Sequence, residues 1–191
     1  MDNDAHYLCL GIVLSMKMSF MVNLNSDEIP RVMITQEMLD VANDLVNEVQ
    51  VHRTRTSPVD TLSGIIGEFA FAEWFYGDWR NNEVGDTIGR PDFEDRIEVK
   101  TSVFPLSSRL NLPIREDYAR SRQPDYYIWC CIDVPSKYEK EISPGREVAV
   151  VGWATGEDAH SAPLRNMGWV RSYRCYLTPV PDLLPMAEFP G

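Results

Sequence analysis

Apolar residues recur at helical spacing from Thr35 to about Val51, at Met38, Leu39, Ala42, Leu45 and Val46. The spacing predicts an amphipathic helix with Thr35 as its cap. Ser57-Pro58 breaks it, and a second helix is expected to start at Asp60 or Thr61 and end at Gly77. Leu62, Ile65, Ile66, Phe69, Ala70, Ala72 and Phe75 leave that helix few polar positions, so it is predicted to be largely buried. Gly64 and Gly67 lower its propensity but admit close approach to a sheet. Downstream the pattern changes. Tyr126 to Ile132 and Val148 to Ala154 are almost unbroken apolar runs, as expected of central strands buried on both faces. Asp133 to Arg146 is polar and reads as a loop. Residues 115–122 read as a short helix or ordered loop, and Tyr173 to Leu177 as a final edge strand. Helices, then a hairpin, then buried strands predict an α/β (α+β) arrangement in three layers, a mixed central sheet flanked by helices.

The hairpin is Pro91 to Ser102. Ile97 and Val99 are apolar and β-branched, and Glu98 and Lys100 alternate with them, so the two pairs take opposite faces. A two-residue turn would put Asp92 on the wrong face from Glu98. A three-residue loop, Glu94-Asp95-Arg96, pairs Phe93 with Ile97 and Asp92 with Glu98. Phe93, Ile97 and Val99 then share the core face. Opposed residues have Cβ atoms about 4.5–5.5 Å apart, close enough for two carboxylates to share one small cation. Such a pair repels unless a cation relieves it. The odd-length loop, or an equivalent bulge, is the expected register.

The chain has 191 residues, enough for one domain with a real core. Residues 23–191 are expected to form it, with residues 1–22 as an extension packed on the body or loosely attached. Tyr7 to Val22 is apolar, but acids precede it and Lys17 interrupts it, so it does not read as a targeting or membrane segment. The four cysteines form no CxxC pair. Reduced core thiols are expected, and with them a cytoplasmic setting. The net charge of −11 counts against a generic nucleic-acid binder. It does not exclude a nuclease, because local clusters matter more than the sum. Arginines do cluster, at Arg53 and Arg55 and again at Arg109, Arg115, Arg120 and Arg122.

Glu68 lies in the most apolar helix, on a face shared with Gly64, Phe71 and Ala72. A glutamate there either emerges at an edge or faces the acidic site. With it in place, Gly-x-x-Gly-Glu at 64–68, Pro-Asp at 91–92, Glu-x-Lys at 98–100 and the strand Asp-Tyr-Tyr-Ile at 125–128 together resemble the PD-(D/E)XK nuclease superfamily, over roughly Gly64 to Trp153. The resemblance implies a restriction-endonuclease-like fold with core order αβββαβ. It implies Mg²⁺, replaceable by Mn²⁺, bound by Asp92, Glu98 and the Val99 carbonyl. Lys100 would position or activate the attacking water, and Glu68 would match a helix glutamate that holds a second ion or orients a water. Gln123 followed by Tyr126 only loosely resembles a Gln-x-x-x-Tyr element and falls outside the expected site.

The expected activity is Mg²⁺-dependent hydrolysis of DNA phosphodiester bonds, with Arg53, Arg55, Arg115, Arg120 and Arg122 against the nucleic acid. DNA is the expected partner, a homodimer is compatible, and no membrane is involved. The alternative is a catalytically inactive nuclease-fold protein, an accessory factor that binds DNA or protein in a phage or mobile element. Each site residue also has a plainer role: a turn for Asp92, a solvated salt bridge for Glu98 and Lys100, a helix-edge acid for Glu68. His6, His52 and His160 have no metal spacing, and there is no nucleotide-binding glycine motif and no Gly-x-Ser-x-Gly elbow. Trp153 and Trp169 read as packing residues or as base-stacking platforms.

Overall fold

Thr35 caps the first helix as its spacing predicts. Its Oγ1 accepts the Met38 N–H at 3.1 Å, and α1 runs Gln36–His52. These details come from a computed structural model that describes residues 22, 24, 28–52, 58–84, 90–168 and 172–191. The expected extension, residues 1–22, lies outside the described residues except for Val22, which packs on the core. The second helix, α2, runs Pro58–Tyr76. It starts at Pro58, earlier than expected, because the first helical position needs no N–H and suits a proline. Gly77, at φ 74°, supplies the left-handed stop.

Among the described residues seven strands form two sheets. The central sheet has the order β1-β5-β4-β2, with β1 at Arg31–Met33, β2 at Ile97–Val103, β4 at Tyr126–Ile132 and β5 at Glu147–Thr155. It is mixed: β2 runs parallel to β4, while β5 is antiparallel to β4 and β1. The second sheet has the order β3-β7-β6 and is antiparallel throughout. Its strands are β3 at Asn111–Arg115, β6 at Leu164–Met167 and β7 at Tyr173–Pro179. The described residues also include two short α-helices, α3 at Glu116–Ser121 and α4 at Gly156–Ser161.

Both faces of the central sheet are buried, which explains the unbroken apolar runs. Ile128, Cys130, Ile132, Val148 and Val150 face α1 and α2, against Met38, Ile66 and Phe69. Tyr127, Trp129, Cys131, Ala149 and Val151 face the second sheet, against Leu112, Ile114 and Leu183. The layers are therefore helix, sheet, sheet. Cys130, Cys131 and Cys175 are buried free thiols. No described helix is long and apolar enough to cross a membrane.

The predicted edge strand at Tyr173 to Leu177 is instead the middle strand, β7, of the second sheet. Its neighbours carry weak sequence signals. β3 contains Pro113, tolerable because β3 is an edge, and β6 has only four residues. Between α2 and α3 lie β2, β3 and a single bridging residue, Phe93, and β3 leaves the central sheet for the second one. Of the two helix glycines, only Gly67 meets the sheet. A Cβ there would run into the Thr101 side chain of β2, whereas nothing lies within 4 Å of one at Gly64.

Candidate functional site

The loop before β2 sets the register of the site. Glu94 and Asp95 both adopt left-handed backbone, at φ 52° and 57°. For side-chain-bearing residues this costs roughly 1–2 kcal/mol each. The turn is fastened on both flanks: Tyr76 Oη donates to Glu94 Oε1 at 3.1 Å, and Arg90 pairs with Asp95 at 2.9 Å. Phe93 then bridges Ile97, with N···O distances of 3.0 and 2.9 Å. This is the three-residue loop that the apolar pattern requires. Phe93, Ile97 and Val99 are 0%, 2% and 6% exposed in the helix-facing core.

Glu98 and Lys100 take the opposite face of β2. The parallel register sets Glu98 beside Tyr127 and Lys100 beside Trp129. β2 is the last strand of its sheet. Asp92 takes the place of a further strand there, its Oδ2 accepting the Val99 N–H at 2.8 Å. Glu98 is 2% exposed. Its Oε1 accepts from Lys100 Nζ at 2.5 Å and from Arg122 Nη1 at 3.2 Å. Its Oε2 is buried and has no hydrogen-bond partner. Glu68 arrives half-buried from α2.

These groups shift one another's protonation. Burial pushes the Asp92 carboxyl up to about 6, and the neighbouring Glu98 charge adds to the effect. Burial also holds Glu68 well above the usual carboxylate range, with Asp92 adding and Lys100 opposing. Burial alone would lower the Lys100 ammonium, but Glu98 and Asp92 outweigh it and hold Lys100 above its ordinary value. Lys100 is therefore charged near neutral pH and serves as a donor, not as a base.

The structure thus brings Glu68, Asp92, Glu98 and Lys100 together, and adds Arg122. That arginine, expected on nucleic acid, turns inward onto Glu98. Arg115 and Arg120 stay on the surface, each 2.6 Å from a carboxylate, Asp117 and Glu116 respectively. Arg53 and Arg55 lie outside the described residues, as does Trp169. Trp153 is no stacking platform: it is buried, and its Nε1 donates to Pro185 O at 3.0 Å. Sequence reasoning missed Tyr127. Its hydroxyl hydrogen-bonds with His160 Nε2 at 2.9 Å. Burial holds the phenol far above its ordinary value, with Glu98 adding. A signal was present: counted from Gln123, the four-residue spacing falls on Tyr127, not Tyr126.

Among the described residues no group of three or more His, Cys, Asp and Glu is placed to hold a metal ion. Mg²⁺, however, is commonly held by one or two carboxylates and keeps several waters. Asp92 and Glu98 are hard oxygen donors, and the buried, unpartnered Glu98 Oε2 is the atom such an ion would satisfy. The pair fits a small hard cation in kind. Glu68 fits less well, because its surroundings favour the protonated form. Comparison with family models, curated proteins and solved structures finds no match for this chain.

Proposed function

We propose that this protein is a divalent-cation-dependent nuclease of the PD-(D/E)XK kind that hydrolyses DNA phosphodiester bonds in the cytoplasm. One observation carries the reading. Asp92, Glu98 and Lys100 converge at the rim of an edge strand, and one buried Glu98 oxygen has no partner. Asp92, Glu98 and the Val99 carbonyl are the groups that would hold Mg²⁺ or Mn²⁺, with Glu68 as an auxiliary ligand. The ion would supply a Lewis acid and an acidified water. The chain's own residues do the rest. Lys100, held protonated, aims an N–H at the oxygen where charge develops during displacement. Arg122 fixes Glu98 through Oε1 and so leaves Oε2 for the ion. Glu68, with its raised affinity for a proton, orients a water.

The test uses plasmid DNA and labelled oligonucleotides with Mg²⁺ or Mn²⁺. Glu98→Gln and Lys100→Met are each expected to lower cleavage about 100-fold or more, with circular dichroism and melting temperature confirming a retained fold. Cleavage at the parent rate by both variants would sink the assignment.

A second reading has its own support. Lys100 and Arg122 already neutralise Glu98 from within the protein, and the chain carries a net charge of −11. An internally balanced cluster suits an inactive nuclease-fold protein that binds or assembles. Calorimetric titration with Mg²⁺ separates the two readings. An affinity unchanged in Asp92→Asn supports the binding protein.

A further inference from the structure

Arg115 ends β3 beneath two exposed rings. Its Cζ lies 4.8 Å from the Tyr118 ring centre and 5.1 Å from that of Tyr173. Tyr118 is 44% exposed and Tyr173 40%. Asp117 grips the guanidinium through two hydrogen bonds, at 3.0 and 2.6 Å, and so fixes its plane. Arg122 continues the series: its Cζ lies 5.8 Å from the Tyr118 ring centre, and its Nη1 is 3.2 Å from Glu98. A ridge of rings and guanidiniums therefore leads from the surface to the candidate site. Arg165 widens it. β3 and β6 flank β7, and Arg115 and Arg165 stand in register on either side of Cys175. Arg165 is exposed and has no acidic partner among the described residues.

The charge distribution singles out the same place. The described residues of 109–122 and 164–174 include six arginines and two acids, in a chain of net charge −11. Much of the remainder is acidic and repels a polyanion, which favours its approach at these segments.

We propose that this tyrosine–arginine ridge docks single-stranded nucleic acid. Bases stack on Tyr118 and Tyr173, phosphates meet Arg115 and Arg165, and the strand runs on toward Lys100. The proposal rests on the nuclease reading and names its substrate class. The exposed rings decide in favour of a single strand, because only unpaired bases offer their faces to aromatic side chains. A duplex would use the cations alone, and an acidic peptide would leave the rings idle.

The experiment is fluorescence anisotropy of a labelled oligothymidine of about 16 nucleotides. A chelator keeps the DNA intact. The comparisons are the corresponding dA·dT duplex and polyglutamate. The oligothymidine is expected to bind tightest. Tyr118→Ala and Tyr173→Ala are each expected to weaken it about tenfold, and the phenylalanine variants to retain it. Equal or tighter binding of duplex or polyglutamate, or alanine variants as tight as the parent, overturns the proposal. Cleavage with Mg²⁺ is read separately. Single-strand binding that needs the two tyrosines, without any cutting, keeps the ridge and removes the nuclease. Cutting of duplex DNA that is indifferent to both tyrosines does the reverse.

Discussion

Glu98 is almost wholly removed from water, with two cations on one oxygen and none on the other. Burying an acid this way is tolerable only where partners compensate. Its neighbour Asp92 is compensated less. Burial and the Glu98 charge outweigh Lys100, the Val99 N–H and Arg122, with Glu68 facing the same site, and raise Asp92 from 3.8 to about 6. The sign follows from linkage. The fold favours protonated Asp92, so the associated stability is complete below its ordinary value and is lost as pH rises through about 6. Asp92→Asn keeps an acceptor for the Val99 N–H and carries no charge. In chelator the variant is expected to exceed the parent in stability by about 3 kcal/mol at neutral pH, with the difference shrinking to a small fraction of that near pH 4. Urea denaturation at the two pH values measures it. Asp92, Glu98 and Lys100 were legible in the sequence because strand alternation and an odd loop place all three without tertiary information. Arg122 was not, since it reaches Glu98 from 24 residues away.

Elements pack closely only where side chains permit. α2 presses on β2 at Gly67, where a methyl group would enter the space of Thr101. Gly67→Ala is expected to cost about 1–3 kcal/mol through overpacking. Gly64→Ala, one turn earlier with open space around it, is expected to gain about 0.5–1 kcal/mol from helix propensity. Denaturant midpoints of the two variants should move in opposite directions. Sequence alone treated the two glycines alike, because periodicity fixes the helix face but not the point of contact along it. α1, α2, β4 and β5 were legible through sustained apolar patterns. β1, β3 and β6 were not. They have three to five residues each, and partners in the sheet define them more than their own sequence does.

At the scale of the whole molecule, the second sheet is what the chain's pattern concealed. It covers the face of the central sheet where a layer of helices was expected, and it sets Arg115 of β3 and Arg165 of β6 in register on either side of Cys175. One of its strands, β3, also lies on the path between β2 and β4. Residues 104–125 make that parallel crossover and carry β3 and α3. Arg122 stands at its end, so it meets Glu98 only once the excursion has folded back. Non-local pairings of this sort come late because loop closure precedes their reward. Arg122→Met is therefore expected to speed unfolding about tenfold and to leave the refolding rate unchanged. Stopped-flow chevrons in urea would register both limbs. On this ordering a newly made copy completes the Arg122 contact of the candidate site in the last moments of maturation. If the proposed nuclease reading holds, a half-finished copy, though already compact, would be harmless to the nucleic acids around it.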